Sequence, residues 1–145
     1  MSAEHSRVTG WIWDAIQADP VVLAAVGGLP APRIYADAAP QGAITPMVLY
    51  AFLGGSDQLV GASRLSNAIY LIRVLGEGSS YNPIEDLADR VDNRLTNVGA
   101  GGIFFRDIHI LSCVREQPHQ RKDALYGVTT LYLGGLYRIR WSPVS

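Results

Sequence analysis

The sequence has little charge and almost no cysteine. Charged residues make up 17% of the 145 residues, and the net charge is −1. This balance argues against a nucleic-acid-binding protein, since such proteins present a basic face. Cys113 is the single cysteine, so an internal disulfide is excluded. No apolar run reaches the roughly 18 residues of a membrane-spanning helix, and the first residues, MSAEHSR, lack the basic and apolar regions of a secretory signal.

Motifs that carry chemistry are also missing. The three histidines, His5, His109 and His119, lie far apart and lack the spacing of metal ligands. The glycine-rich stretches GEGSS and GAGG do not fit a phosphate-binding or dinucleotide-binding loop. Cys113 has no neighbouring residue that would activate it as a nucleophile. We therefore expect no catalytic site, no bound metal and no cofactor.

Apolar residues, in contrast, are abundant. They make up 48% of the chain, and the mean hydropathy is +0.13. A chain of 145 residues has the size of one domain, so we expect a single domain over residues 1–145. Because the excess apolar content does not form a membrane segment, it indicates surface that partner proteins cover.

Helical patterns occur in two regions. The segment TGWIWDAIQADPVVLAAVGG (9–28) predicts two short helices, the second beginning with Asp19 as N-cap and Pro20 in the first helical position. The segment YNPIEDLADRVDNRLTNVG (81–99) predicts a longer helix with Asn82 as its N-cap. Its apolar stripe consists of Ile84, Leu87, Ala88, Val91 and Leu95.

Strand patterns fill most of the remaining chain. The segments 54–66 and 116–124, which separate strand candidates, predict exposed loops. Helices inserted among strands favour an α+β fold, with a mostly antiparallel sheet of about four to five strands and helices packed on one face. The strand candidates are 34–35, 47–53, 67–75, 103–116 and 126–141.

Two of these strands show no polar face. In 47–53 and 68–75 apolar side chains point both ways, and Arg73 is the only interruption. The predicted helices can cover one face of the sheet. The other face is covered either by a loop or the N-terminal segment, or by a neighbouring copy of the protein. Trp13, on the polar side of the first helix, leaves a similar choice between the second short helix and a partner.

Five segments, ADPVVLAAVGG, RIYADAAPQGAITPMVLY, YLIRVLGEGSSYNPIEDLADRVDNRL, LSCVREQP and YLGGLYRIRW, together resemble one family. They are similar to the tail-terminator, or tail-completion, proteins of long-tailed, siphovirus-like bacteriophages, over about residues 15–141. The resemblance implies a small α+β subunit that forms a hexameric ring on the head-proximal end of the tail tube. Such a ring stops tube polymerisation and presents a docking surface to the head connector.

The resemblance also implies where the protein acts and with what. Its partners would be further copies of itself, the tail tube protein and the connector or head-closure protein. DNA would only pass through the lumen, without specific binding. The protein would be a structural component of the virion, made in the host cytoplasm, and would not be an enzyme.

Loops on a rigid scaffold commonly carry binding residues, so the two predicted loops are the expected contacts with other virion proteins. From them, and from the first helix, we select five candidate interface residues: Trp13, Asp57, Arg64, Arg121 and Lys122.

Other interpretations stay open. A head-closure or connector ring, or another minor tail protein, has the same size and composition. A non-viral α+β binding module is a further alternative. In a different class, a small hydrolase or nuclease would need acids that gather only in the fold, namely Asp37, Asp107 and Asp123.

Overall fold

The computed structural model of the chain describes residues 3–60 and 63–144. Three helices and six strands occur in these residues. The helices are α1 (Ala3–Gln17), α2 (Pro20–Ala25) and α3 (Asn82–Thr96). The strands are β1 (Ile34–Ala36), β2 (Met47–Val60), β3 (Ser63–Glu77), β4 (Ile103–Phe105), β5 (Ile108–Leu125) and β6 (Val128–Pro143).

All six strands belong to one mixed sheet with the order β1-β2-β3-β6-β5-β4. β1 pairs with β2 in parallel, whereas the other neighbours are antiparallel. The sheet curls into a half-barrel, and about 25% of the chain is helical. The predicted fold class, four to five mostly antiparallel strands with helices packed on one face, is therefore wrong. The candidate strand 103–116 contains both the three-residue strand β4 and the start of β5. The chain passes from β1 to β2 by a crossover, so these two strands are parallel.

The two predicted loops are strands. Residues 54–60 continue β2 and residues 63–66 begin β3, and residues 57–60 pair with residues 63–66. Residues 116–124 lie within β5 and pair with β6. Glycine and polar residues in these segments resemble loop composition, but pairing with a neighbouring strand outweighs local preference. The protein thus has two long β-hairpins where the sequence predicted connections.

One face of the sheet shares a hydrophobic core with all three helices. The apolar stripe of α3 is buried, as predicted, at Ile84, Leu87, Val91 and Leu95. The helix side chains join alternate residues of the strands, because side chains on one sheet face recur at every second position. The sheet residues in this core include Val48, Ala68, Tyr70, Ile72, Val74, Ile108, Ile110, Leu131, Tyr137 and Ile139.

The opposite face, called the outer face below, is covered in part by the chain itself. Met47, Leu49 and Leu75 are buried in a second, smaller cluster. Ala39 and Ala43, from the segment between β1 and β2, pack against it. The loop alternative for the apolar outer face is therefore confirmed at this end of the sheet.

The N-termini of α2 and α3 are capped in different ways. Asp19 is the N-cap of α2, as predicted, and its carboxylate accepts hydrogen bonds from the backbone N–H groups of Val21 (2.9 Å) and Val22 (3.3 Å). The predicted N-cap of α3 is wrong. Tyr81 is the N-cap and makes no side-chain capping bond, while Ser80 Oγ accepts from the Asn82 N–H (3.2 Å).

Asp19 also links α2 to α3. It is 5% exposed, and one carboxylate oxygen lies 3.4 Å from Arg90 Nη1 and 3.6 Å from Arg94 Nε. Burial opposes ionisation, but the two backbone hydrogen bonds and the two arginines outweigh it and lower the pKa of Asp19. The buried charge is therefore paired, as buried charges in folded proteins are.

We predict that Leu95→Ala lowers the free energy of unfolding by about 2–5 kcal/mol, because it leaves a cavity in the core. Leu95 is fully buried. Leu29→Ala is the control, since Leu29 is 67% exposed. Urea denaturation of the monomer measures both. Equal losses for the two variants would show that the α3 stripe is not core.

We predict that Asp19→Asn destabilises the protein at pH 7 by about 1 kcal/mol, since asparagine keeps the cap but loses the charge-assisted bonds. The folded pKa of Asp19 lies below its ordinary value of 3.8. The carboxylate therefore stabilises the fold above pH 3.8, and this contribution is lost as the pH falls through the folded pKa. Urea denaturation at pH 7 and at progressively lower pH should show the difference from wild type shrinking. Asp89→Asn, at an exposed position, is the control, and a difference independent of pH would contradict the assignment.

Candidate functional site

The two ends of the sheet are mostly open. β1 pairs with β2 only at residues 48–50, and β4 pairs with β5 only at residues 108–110. Among residues 3–60 and 63–144, no further strand adjoins these edges. Residues 51–60 of β2 and 111–125 of β5 are called the open edges below. Open edges present unpaired backbone N–H and C=O groups, to which another strand can bind.

The open edge of β5 carries features that restrict pairing. Its register with β6 shifts between Ile110 and Ser112 and again between Arg115 and Gln117. Such bulges bend and twist an edge strand. Pro118 lacks a backbone N–H, which is tolerated at an edge. The part of this edge that precedes the proline is residues 111–117, and a partner strand must match its bends.

Exposed apolar side chains accompany both edges. On β2, Phe52 is 43%, Leu53 56% and Leu59 78% exposed; on β5, Leu111 and Val114 are 36% and 49% exposed. Large apolar side chains that cluster at a surface commonly mark a protein contact. The open edges thus combine unpaired backbone groups with apolar surface.

A cleft of about 370 Å³ lies beside α1. Trp13 of α1, Tyr50 of β2 and Phe105 of β4 form its aromatic walls, and Gly10 of α1 also lines it. Tyr50 and Phe105 belong to strands at opposite sides of the sheet order, so the curl of the sheet brings them to one cleft. A Cβ at position 10 would lie 3.4 Å from the Phe105 ring, and glycine therefore lets this ring approach the helix closely.

The rim of the cleft carries both signs of charge. Asp14 and Arg106 both line the cleft and are exposed. The Arg106 guanidinium lies 5.1 Å from the centre of the Phe105 ring, a cation–π contact. Burial, together with the charge of Asp37, raises the pKa of Tyr50, so its hydroxyl stays protonated at neutral pH. The cleft suits an apolar side chain flanked by charged groups.

The structure divides the five predicted interface residues among three places. Trp13 is half-buried in the wall of the cleft. Asp57 and Arg64 lie on the β2–β3 hairpin, where Asp57 accepts a hydrogen bond from Ser66 Oγ (2.6 Å). Arg121 and Lys122 lie near the far end of β5. None of the last four is on a loop, so the expected loop setting is wrong.

Arg121 and Lys122 point to opposite faces of the sheet and contact different groups. Arg121 Nε lies 3.1 Å from Asp123 Oδ1, and its guanidinium lies 5.9 Å from the centre of the Tyr132 ring. Lys122 Nζ lies 5.9 Å from the centre of the Tyr81 ring. Both side chains therefore have contacts within their own chain.

Arg73, the polar interruption predicted from the sequence, belongs to the Arg121 side of the sheet. Its guanidinium lies 4.7 Å from the centre of the Tyr132 ring, and burial lowers its pKa. Burial, with the charges of Arg73 and Arg121, also lowers the pKa of His119. His119 is therefore neutral at neutral pH. Arg73, His119, Arg121 and Tyr132 form a polar patch on this side of the sheet.

Residues 3–60 and 63–144 hold no group of three or more His, Cys, Asp or Glu side chains placed to bind a metal. The acids of the hydrolase alternative, Asp37, Asp107 and Asp123, do not form such a group. Asp107 pairs with Arg7, and Asp123 pairs with Arg121. Cys113 is buried, and burial, with the charge of Asp92, raises its pKa to about 12.

The sequence pointed to part of the cleft and missed the rest. Trp13 stood out as an aromatic residue on a polar helix side. Tyr50, Phe105 and Arg106 could not be identified from the sequence, because only the curl of the sheet brings them near α1.

None of the helices within the described residues has the length and apolar composition needed to cross a bilayer.

Among known proteins, the chain matches solved structures. Neither a protein-family model nor a curated protein matches the chain. The fold is similar to a chain in the solved structure "Virion of native gene transfer agent (GTA) particle", with a TM-score of 0.64 and 18% sequence identity. The match covers 98% of this chain and 99% of that chain. The two chains therefore share their whole fold.

Proposed function

We propose that the protein is a structural subunit of a phage-like virion and assembles with its own copies into a ring. The likeness to a chain of a gene transfer agent virion supports the virion setting, since it extends over the full length of both chains. The resemblance of the sequence to tail-terminator proteins supports the ring and its place at the head-proximal end of the tail tube.

The pair of open edges carries the proposal. The edge of β2 and the edge of β5 lie on opposite sides of one sheet, so the first can pair with the second in a neighbouring copy. Such a contact joins two different surfaces and is heterologous. Heterologous contacts repeat around an axis and give a closed ring when the rotation between neighbours completes a full turn. Strand addition to an open edge is a common mode of protein recognition.

The ring would act as a terminator in the following way. One rim binds the last ring of tail tube protein and leaves it no surface for further polymerisation. The other rim binds the connector or head-closure protein. A net charge of −1 suits a lumen through which DNA passes without being held. The protein would work as a structural part and not as an enzyme.

A head-closure or connector ring is the second candidate, because the same open edges would serve any ring of the head–tail junction. The two roles differ in what the particle lacks without the protein. Loss of a terminator leaves tube growth unchecked, whereas loss of a head-closure protein leaves tails of normal length that do not join heads.

We predict that the purified protein forms a ring of about six copies of the 15.7 kDa chain, measured by size-exclusion chromatography with light scattering and seen as rings by negative-stain microscopy. Particles produced without the protein should carry abnormally long or unjoined tails. Tails of normal length that stay unjoined would favour the head-closure role. A monomer at all concentrations, or normal joined tails without the protein, would contradict the proposal.

A further inference from the structure

The tip of the β2–β3 hairpin presents a distinct side-chain pattern. Its described residues, 57–60 and 63–65, are called the arm below. In the antiparallel register Leu59 lies opposite Arg64, and Asp57 lies opposite Ser66. Because opposite residues and alternate residues share a face, Asp57, Leu59 and Arg64 all point to the same side.

Leu59 is a large apolar residue that a single chain leaves exposed to solvent. Its side chain is 78% exposed. It lies opposite Arg64 and two residues after Asp57, on a hairpin that β6 accompanies only up to the Ser66–Trp141 pair. The arm therefore displays an apolar group next to an acid and a base, beyond the last residue that pairs with β6.

The cleft beside α1 carries the complementary pattern. Its lining combines the aromatic side chains of Trp13, Tyr50 and Phe105 with the acid Asp14 and the base Arg106. The arm and the cleft thus each combine apolar surface with one acid and one base, so opposite charges can pair when the two meet.

We propose that the arm of one copy inserts Leu59 into the cleft of the next copy, with Asp57 facing Arg106 and Arg64 facing Asp14. This contact rests on the proposed assembly of copies and defines how neighbours recognise one another. Opposite charges around an apolar contact fix its orientation and exclude mismatched partners.

The position of the open edges favours a second copy of the protein as the partner that fills the cleft. The cleft includes Phe105 and Arg106, which lie where β4 meets the beginning of β5. If β2 of one copy runs antiparallel to β5 of the next, residues near 60 come to the beginning of the β5 open edge, at residue 111. The arm then reaches the side of the neighbour on which the cleft lies. A nucleic acid fits poorly, because the rim offers an acid beside its single arginine.

A disulfide between neighbouring copies tests the contact. The double variant Ser6→Cys, Leu59→Cys places one thiol at the cleft rim and one on the arm. Oxidation should link chains whose Cα atoms approach within about 7 Å, and a denaturing, non-reducing gel should show a ladder up to the full ring. Each single variant should give no ladder. The control pair, Ser6→Cys with Val128→Cys, uses a residue at the start of β6 that is 47% exposed, and it should give none.

The outcomes separate the contact from the assembly. A wild-type ring without a ladder from the Ser6–Leu59 pair would overturn the arm–cleft contact and leave the proposed ring intact. A fast-migrating monomer with an internal disulfide would show that the arm reaches its own cleft, which also overturns the contact. A wild-type protein that stays monomeric would overturn both.

A charge exchange tests the orientation independently. Arg64→Asp should raise the dissociation constant of the ring roughly tenfold, because it places two acids together at the contact. Asp14→Arg in the same chain should restore assembly, since the pair is then reversed. Arg140→Asp, at an exposed position on the outer face, should have no comparable effect. Failure of Asp14→Arg to rescue Arg64→Asp would contradict the proposed pairing, provided that circular dichroism shows both variants folded.

Discussion

The unequal length of neighbouring strands is the constraint on which the account depends. β2 has 14 residues and β5 has 18, but the strands beside them, β1 and β4, have three each. Most of each outer edge is therefore left with unpaired backbone groups. In water these groups bind solvent, and pairing with another strand adds a ladder of hydrogen bonds without requiring the core to change. Such edges are the physical basis of the proposed addition of a neighbouring copy.

The core explains why the edges hold their shape. The three helices and one face of the sheet share a single cluster of buried side chains, and Asp19 joins α2 to α3 through Arg90 and Arg94. Part of the outer face is covered by the segment between β1 and β2. Five large apolar side chains stay exposed along the open edges, namely Phe52, Leu53, Leu59, Leu111 and Val114. Stability and the proposed assembly thus use different parts of the same sheet.

Local patterns predicted the parts of the fold that local chemistry controls. The Asp19–Pro20 helix start and the α3 stripe through Leu95 follow from spacing and capping, and both are present. The number and direction of strands could not be predicted in the same way. Residues 54–66 resemble a loop until their pairing is known, and the parallel β1 has only three residues. The cleft depends on sheet curl, so Tyr50 and Phe105 could not be connected from the sequence.

Hydrogen–deuterium exchange of the backbone amides tests the central claim, that neighbouring copies join through the open edges. It would compare the assembled protein with a monomeric form obtained by dilution. We expect outward-facing amides of residues 51–60 and 111–117 to exchange at least about tenfold more slowly in the assembly, because strand pairing protects them. Amides of residues 119–125, beyond Pro118, should change little. Equal exchange at both open edges in the two states would contradict the account.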